Sequence, residues 1–186
     1  MNYNYKDRYL LEFNLRRDES SRIPKKNRVG YFPSVSVGWN IAQEAFMEKY
    51  SFISQLKLRA SWGELGNQEI GYYPFAQYIG LGNNYVWGDS KTQGVAISSL
   101  ANPDIKWETT ATTDVGIDAA FLNNKITLTA DYFYKKTSDI LLQLPIPGIV
   151  GISTEPYVNA ASVKNEGWEF ALGYNDQWGD WTFGAN

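Results

Sequence analysis

The sequence contains no cysteine and no histidine among its 186 residues. Their absence excludes zinc sites built from those ligands, thiol catalysis and the Ser-His-Asp triad. No run of about 18 apolar residues occurs, which excludes a membrane-spanning helix. The net charge of −3 offers no general attraction for nucleic acid, so we expect no nucleic-acid partner.

Motifs for catalysis or phosphate binding are weak. Asp104, Glu108 and Glu155 could be imagined as a glycosidase pair, but nothing in the sequence places two of them at a working distance. The segment 80–82, Gly-Leu-Gly, does not continue into a phosphate-loop pattern. Since no metal-ligand spacing occurs either, the sequence predicts no catalytic residue, no metal site and no cofactor.

Strict alternation of apolar and polar residues dominates what is present, most clearly over 108–121 and 125–136. Val115 falls on the apolar parity, whereas Asp114 and Asp118 fall on the polar one. A period of two is typical of a strand with one apolar and one polar face. Ten residues at about 3.3 Å each, tilted by roughly 40°, cover about 25 Å, the height of the apolar band of an outer-membrane barrel.

The same alternation recurs along the chain and predicts seven antiparallel strands. Their ranges are 8–17, 29–41, 55–63, 108–121, 125–136, 162–174 and a last strand that begins at Trp181 and is cut short. The predicted fold is therefore all-β, an up-and-down transmembrane barrel segment. We interpret the chain as a piece of a longer protein.

The predicted connections differ strongly in length. Short ones around Asn123 and over 175–180 alternate with long ones over 18–28, 64–107 and 137–161. Transmembrane barrels show this asymmetry, with short periplasmic turns and long outer loops.

One further connection, 42–54, has a different pattern. Ile41, Ala45, Phe46 and Tyr50 are spaced for a short amphipathic helix.

Charged residues inside the strands keep to the polar parity. We predict that these residues face a wet lumen: Glu12, Arg16, Lys57, Arg59, Asp114, Asp118, Asp131 and Glu169. A Lys or Arg that faced lipid at mid-depth would cost roughly 2–4 kcal/mol. Any half-buried antiparallel sheet sorts its charges in this way, so alternation alone leaves a soluble β-sandwich open.

Aromatic residues collect near the predicted strand ends. The set is Trp39, Trp62, Trp107, Tyr132, Tyr134, Trp168, Tyr174 and Trp181. Trp and Tyr favour a bilayer interface because the ring is apolar and one edge hydrogen-bonds water. We predict a membrane-interface girdle, and the alternative is ordinary core packing in a sandwich.

A second aromatic group lies in the longest connection. It comprises Tyr72, Tyr73, Phe75, Tyr78, Tyr85 and Trp87, among glycines and asparagines. Such rings suit ligand contact, for example by stacking on sugars, so Tyr72, Tyr73, Tyr78, Tyr85 and Trp87 are the candidate ligand-binding residues. The alternative is that the rings pack the loop against itself.

The connection 18–28 is rich in charge. Asp18, Glu19, Arg22, Lys25 and Lys26 accompany the turn formers of 20–21. It could meet lipopolysaccharide phosphates or a protein partner, but a solvated loop tip is the expectation.

The chain resembles the SusC/RagA-like TonB-dependent transporters of Gram-negative outer membranes. The matching stretches are RYLLEFNLRRDESSR (8–22), GYFPSVSVGWNIAQEAFM (30–47), LKLRASWGELGNQEIG (56–71), NPDIKWETTATTDVGIDAAFLNNKITLTADYFYKKTSDILL (102–142) and VKNEGWEF (163–170). They cover most of the chain in the family's order. Glu19 departs from the pattern, since such loops usually carry Gly there.

The resemblance implies a 22-stranded barrel with an N-terminal plug, energised through the TonB complex. It also implies a SusD-like surface lipoprotein that caps the mouth, outer-membrane lipid around the wall, and oligosaccharide or peptide as the ligand. We expect residues 1–186 to be part of that barrel domain, without signal peptide, plug or barrel ends. The expected function is gated uptake of large nutrients without covalent chemistry, and the alternative is a soluble carbohydrate-binding β-sandwich.

Overall fold

The structure is a computed structural model that describes residues 1–152 and 154–186. Its strands are β1 Asn2–Tyr5, β2 Tyr9–Glu19, β3 Val29–Asn40, β4 Ile53–Asn67, β5 Ile79–Leu81, β6 Tyr85–Trp87, β7 Ser90–Thr92, β8 Val95–Ile97, β9 Glu108–Phe121, β10 Ile126–Gln143, β11 Tyr157–Trp178 and β12 Trp181–Ala185. Eight of them form one antiparallel sheet in the order β1–β2–β3–β4–β9–β10–β11–β12. The long loop adds two small sheets, β5 with β8 and β6 with β7. No helix in this described part is long and apolar enough to cross a membrane.

The seven predicted strands correspond to β2, β3, β4, β9, β10, β11 and β12, and the antiparallel prediction is confirmed. The predicted loop 137–161 is too long, because β10 and β11 stay paired as far as Gln143 and Tyr157 and leave 144–156 as the loop. A register shift between Thr137 and Ile140 accommodates Asp139 at a φ of 58°, and the ladder then resumes. A bulge of this kind lets two strands stay paired past an irregularity.

The connections define two ends of the sheet. The short-turn end has the connections 6–8, 41–52, 122–125 and 179–180, and the long-loop end has 20–28, 68–107 and 144–156. The tight turn after β9 places Leu122, Asn123 and Asn124 at positive φ, which asparagine tolerates better than leucine.

The register aligns the apolar parity of all these strands into one outward face. One row across it reads Tyr3, Leu11, Val37, Ala60, Val115, Tyr132 and Trp168. These side chains are not covered, since Val115 is 51% exposed and Phe170, farther along β11, is 72% exposed. A sandwich would bury such a face under a second sheet. Within residues 1–152 and 154–186 no second layer packs there, so the soluble β-sandwich alternative is wrong.

The opposite face is polar and shows a matching row. It reads Asn4, Leu10, Gly38, Arg59, Gly116, Asp131 and Glu169. In the described chain β1 and β12 are the edges of the sheet, which therefore stays open. The described strands of the main sheet form one wall, with an apolar face that we call outward and a charged face that we call inward.

A small core lies at the long-loop end, on the inner side. Ile23, Phe32 and Trp107 form a buried cluster, in which the two rings meet edge to face with centroids 5.5 Å apart. The Phe32 ring lies over Gly30, where an added Cβ would come within 2.5 Å of it. Glycine is needed there because the ring occupies the space of a side chain.

The connection between β3 and β4 is not the predicted helix. It contains two 3₁₀ turns, Ile41–Gln43 and Ala45–Met47, separated by Glu44 with extended torsions of φ −82° and ψ 145°. Glu44 is held in that conformation by contacts to β2 and β3, described below. Tertiary hydrogen bonds therefore override the helical spacing of the sequence.

Candidate functional site

The centre of the inner face is an ion-pair network around Arg59 on β4. Its Nη1 lies 3.2 Å from Asp114 Oδ1, its Nε 3.1 Å from Asp118 Oδ2, and its Nη2 2.6 Å from Asp131 Oδ1. Thr129 Oγ1 donates a further hydrogen bond of 3.2 Å to Asp118. One guanidinium thus links three strands, β4, β9 and β10.

Gly116 explains how Arg59 reaches so far. It sits between Arg59 and Asp131 in the register, and a Cβ there would lie 2.9 Å from Arg59 Cζ and collide with the Asp131 carboxylate. Because glycine leaves the backbone bare, the guanidinium can cross β9 to the acid on β10. Planar guanidinium groups suit such multiple carboxylate contacts, which a lysine could not make.

The other predicted lumen residues surround this network without joining it. Glu12 accepts a 2.9 Å hydrogen bond from Asn14 Nδ2, and Arg16 pairs with Asp18 at 2.8 Å. Lys57 and Glu169 stand opposite Asp118 and Asp131 in the ladder. In the described ranges no group of three or more acidic side chains is placed to hold a metal ion.

Two troughs follow the inner face beside the network. The first, of 440 Å³, is lined by Asn4, Glu12, Lys57, Arg59 and Asp114, together with wall residues. The second, of 520 Å³, is lined by Asn14, Arg16, Ser34, Glu64 and Thr112, again together with other residues of the strands. Both are wide open, as expected for the lining of a passage rather than an enclosed catalytic pocket.

The candidate ligand-binding aromatics separate into two groups. Tyr72, Tyr73 and Tyr78 lie together, because Tyr78 Oη is 3.3 Å from the Tyr72 carbonyl oxygen and 3.4 Å from that of Tyr73. Tyr85 and Trp87 lie on β6, with ring centroids 6.3 Å apart. Trp87 is 77% exposed, so this ring is free to meet a partner.

The first aromatic group borders a recess of 160 Å³ between the long loop and the β10–β11 loop. Tyr72, Tyr78, Ser99, Glu155 and Tyr157 are among its lining residues. The Arg22 guanidinium also lies over the Tyr72 ring, with its Cζ 4.9 Å from the ring centroid. Rings, a carboxylate and hydroxyls in one recess suit a peptide or a sugar.

The predicted solvated tip at 18–28 is correct for the exposed side chains of Glu19, Lys25 and Lys26, but the loop is also docked on its neighbours. Ile23 is fully buried, and Arg22 Nη1 donates to the Ile70 carbonyl at 3.1 Å. Asn27 Nδ2 donates to the Ile105 carbonyl at 3.0 Å, and Lys26 pairs with Asp104. This loop therefore reaches past β4 and is fastened to both ends of the long loop.

We call residues 102–107 the mouth strap. Lys26 and Asn27 contact it on one side, and β10 and β11 contact it on the other. Asn159 Nδ2 donates to the carbonyls of Lys106 and Asp139, at 2.9 and 2.8 Å. Lys106 Nζ also lies 2.9 Å from Asp139. The strap thus ties the 20–28 loop to β10 and β11, a role that alternation cannot reveal because these contacts are non-local.

The predicted interface aromatics other than Trp107 lie on the outward apolar face at two levels. Trp39, Tyr174 and Trp181 lie toward the short-turn end, and Trp62, Tyr132, Tyr134 and Trp168 lie toward the long-loop end. On the long-loop side of Trp168, the outward positions of β11 carry charged residues, Glu166 and Lys164. From Trp168 to Trp178, ten residues at about 3.3 Å, tilted by about 40°, cover about 25 Å, the height of a bilayer's apolar band.

Trp107 does not share this placement, and its prediction as an interface aromatic is wrong. It precedes the first residue of β9, so the parity of that strand does not apply to it. The ring is 9% exposed on the inner side, and Nε1 donates to the Arg28 carbonyl at 3.1 Å.

One outward acid is neutralised locally. Asp176, near the end of β11, lies 2.6 Å from Lys125 Nζ, and Tyr174 Oη donates to it at 3.0 Å. Asp176, Gly116 and Asn159 were not among the predicted site residues, although an acid on the apolar parity of β11 is a signal that the sequence carries for Asp176.

The comparisons with known proteins agree with this geometry. The family model described as TonB dependent receptor-like, beta-barrel matches residues 1–186. TonB-dependent receptor P26 of Formosa agariphila is 37% identical over 172 residues, which are 92% of this chain and 17% of that receptor. TonB-dependent receptor SusC of Bacteroides thetaiotaomicron is 37% identical over 176 residues, with the same shares.

Solved structures point the same way. The RagAB peptide transporter matches with a TM-score of 0.84 and 32% identity, over 97% of this chain and 20% of that one. The RagAB peptide importer in its closed-closed state gives a TM-score of 0.83 and 31% identity, over 96% and 19%. This chain therefore spans about a fifth or less of the proteins it matches. On its sequence, topology and two-faced wall, it belongs to the TonB-dependent receptor β-barrel family, whose SusC-like members are transporters.

Proposed function

We propose that this chain supplies wall and outer loops to an outer-membrane importer that takes up large nutrients, glycans or peptides, with energy from the TonB complex. The observation that carries the proposal is the division of one sheet into an uncovered apolar face and a charged face. Hydrocarbon is the solvent that such an outward face requires, and water suits the inward one. Residues 1–186 are then part of a larger barrel domain.

The proposed mechanism is binding and gated passage, without covalent chemistry. Arg59 and its three acids hold β4, β9 and β10 in fixed register, so that the wall does not deform as cargo passes. The remaining carboxylates and amides of the troughs keep the interior hydrated. A plug elsewhere in the whole protein would open the path when TonB pulls on it.

The outer loops are the proposed site of first contact with cargo. Tyr72 and Tyr78 border the recess beside Glu155, and Tyr85 and Trp87 project from the β6–β7 hairpin. Aromatic faces gain from burial against sugar rings or apolar peptide side chains. The RagAB neighbours, named as a peptide importer, favour peptides as the first cargo to test.

A SusD-like lipoprotein is the proposed partner at this end. Apolar side chains of the β5–β8 hairpin, such as Ile79, Leu81 and Val95, are exposed there, and such surfaces mark contact sites. The mouth strap would hold the surrounding loops in one arrangement for the lipoprotein to cover.

Uptake by the source bacterium tests the function. Two probes are used, a fluorescent tryptic digest of casein and a fluorescent linear oligosaccharide mixture. Deletion of the full-length gene is expected to abolish uptake of one of them. Deletion of the TonB gene should give the same loss, and restoring the gene should reverse the first loss. Unchanged uptake of both probes, with the receptor detected in the outer membrane of the parent strain, would contradict the proposal.

The loop aromatics are tested in the complemented strain. Trp87→Ala and Tyr78→Ala should each reduce uptake of the active probe severalfold. Tyr31→Ala, an exposed ring on the outward face, is the matched control and should leave uptake unchanged. If all three variants behave alike, these rings do not contact the cargo.

A further inference from the structure

The connection between β3 and β4, residues 41–52, exposes large apolar side chains at the short-turn end. Phe46 is 57% exposed, Tyr50 51% and Phe52 52%. A turn that faced only water would gain nothing from three such rings so close together. A group of this kind marks a surface that something apolar covers.

Hydrogen bonds fix the direction in which this connection leans. Glu44 accepts from Tyr9 Oη at 2.8 Å and from Trp39 Nε1 at 3.1 Å, and both donors belong to the outward face. Arg8 Nη1 lies 3.3 Å from the same carboxylate. The Tyr9 and Trp39 hydrogen bonds, in that order, hold the pKa of Glu44 below its ordinary value, so the carboxylate stays charged at neutral pH.

The far end of the connection is joined to the outward face as well. Phe52 stacks on Phe121 with centroids 6.4 Å apart and ring planes at 13°, and Tyr50 meets Phe52 edge to face. The Leu122 backbone N–H donates to the Phe52 carbonyl at 2.8 Å. Tyr50 and Phe52 therefore continue the apolar outward face beyond Phe121, the last paired residue of β9.

The opposite side of the connection is polar. Asn40, Gln43, Gln55 and Asn124 are among the residues that line a recess of 310 Å³ there. One side of the connection thus suits hydrocarbon and the other suits water, as in a segment that lies within an interface.

The charges around it carry both signs. Lys6 and Lys49 lie at the same end of the sheet as Asp7 and Glu48. A zwitterionic phospholipid headgroup offers a phosphate and an ammonium group, and so finds a partner for each sign. A strongly anionic surface would gain no net attraction from this balanced set of charges.

We propose that residues 41–52 lie in the headgroup layer of the periplasmic leaflet, where Phe46, Tyr50 and Phe52 enter zwitterionic phospholipid. Glu44 and Phe52 fasten this anchor to the wall at its two ends. Interfacial segments of this kind bury their apolar side about 5–10 Å into the boundary with the acyl chains. The inference rests on the proposed outer-membrane location of the whole receptor.

Depth-resolved fluorescence quenching tests the anchor. The residues of this chain include no cysteine, so Phe46→Cys and, separately, Tyr50→Cys can be labelled with bimane in the full-length receptor, after any cysteines elsewhere are replaced. The receptor is reconstituted in vesicles of phosphatidylethanolamine and phosphatidylcholine. Quenchers are a nitroxide lipid labelled at acyl carbon 5 and aqueous iodide.

Both labels should be quenched at least twofold more by the nitroxide lipid than by iodide, and a Gln43→Cys label should show the reverse order. Equal iodide quenching at positions 43, 46 and 50 would overturn the anchor, because it would place all three in water. Protection from both quenchers would overturn it too, because protein would then cover the rings.

A Val115→Cys label separates this inference from the proposed function. Position 115 lies on the outward face well away from the anchor. If nitroxide lipid quenches the label at 115 but not those at 46 and 50, the anchor alone fails. If it quenches none of the three, the membrane location fails as well.

Discussion

The two faces of the sheet are built from neighbouring residues of the same strands yet follow opposite rules. On β9, Val115 points outward and touches nothing that covers it, whereas Asp114 points inward and is bound by Arg59. The outward side chains of the band are mostly apolar and uncovered, whereas many inward ones are charged and joined across strands. The difference shows that two solvents, and not one buried core, select the sequence of this wall.

The faces should therefore differ in what they tolerate. Lipid has no partner for a charge, so a charge on the outward face carries its full transfer cost. The inner face has water and counter-ions within reach, so a single ion pair there is worth much less.

The largest effect is expected from Leu172→Lys on the outward face, because Leu172 is exposed and lies on β11 about midway between Trp168 and Trp178, which bound the apolar band. Folding of the full-length receptor into vesicles, followed by urea titration, should show a loss of roughly 2–4 kcal/mol in unfolding free energy. Ser61→Lys, an inward position beside Asp114 in the ladder, is the matched control and should change stability by less than about 1 kcal/mol. Equal losses would erase the distinction between the faces.

Arg59→Gln should have the next largest effect. It leaves Asp114, Asp118 and Asp131 without their shared counter-ion. Breaking a fully buried pair costs about 3–5 kcal/mol, but the Arg59 side chain is 33% exposed, so about 1–3 kcal/mol is expected in the same titration. Arg17→Gln, in an exposed pair with Glu19, should cost at most about 1 kcal/mol, and a larger loss there than at Arg59 would contradict the account.

Gly116→Ala tests whether bare backbone is what allows the network to form. The added methyl group would displace Arg59 and Asp131, which should cost about 1–2 kcal/mol, as overpacking does. Gly71→Ala has no atom within 4 Å of its added carbon and should be close to neutral. If Gly116→Ala left the unfolding free energy unchanged, the ion-pair network would be able to rearrange around the methyl group without loss of stability.

The smallest effect on unfolding free energy is expected from a change at Trp107, at the long-loop end of the inner face. Trp107→Phe removes the donor to the Arg28 carbonyl and should cost about 0.5–1.5 kcal/mol. Limited proteolysis should also cut the long loop faster. Trp87→Phe, on an exposed hairpin, should change neither measurement, and faster cutting in both variants would show that the mouth strap has no special role.

Much of this fold could be read from the sequence, because a period of two is a local property. The parity of Val115, Lys57 or Asp131 needs only its neighbours, and strand pairing then follows from short turns such as 122–125. The extension of β10 past Asp139 could not be read, since it depends on a bulge that the partner strand stabilises. β1 was missed because four alternating residues are too few to distinguish from chance.

The inner site was predicted as a set of residues but not as a network. Alternation placed Arg59 and its acids on one face. Their contacts depend on the register of the strands, which sets Gly116 between Arg59 and Asp131. Trp107 was misplaced because it lies just before a strand and packs against Phe32, a distant residue. The helical spacing at 41–52 misled for a similar reason, since Glu44 is held by Tyr9 and Trp39.

The central claim is that lipid covers the outward face of this wall. A nitroxide scan along residues 112–119 of β9, in the full-length receptor in vesicles, measures it directly through collision rates with oxygen and with a water-soluble nickel chelate. The account predicts a period of two, with oxygen dominating at 113, 115, 117 and 119 and nickel at the positions between. Equal nickel accessibility at odd and even positions, or the opposite phase, would contradict it.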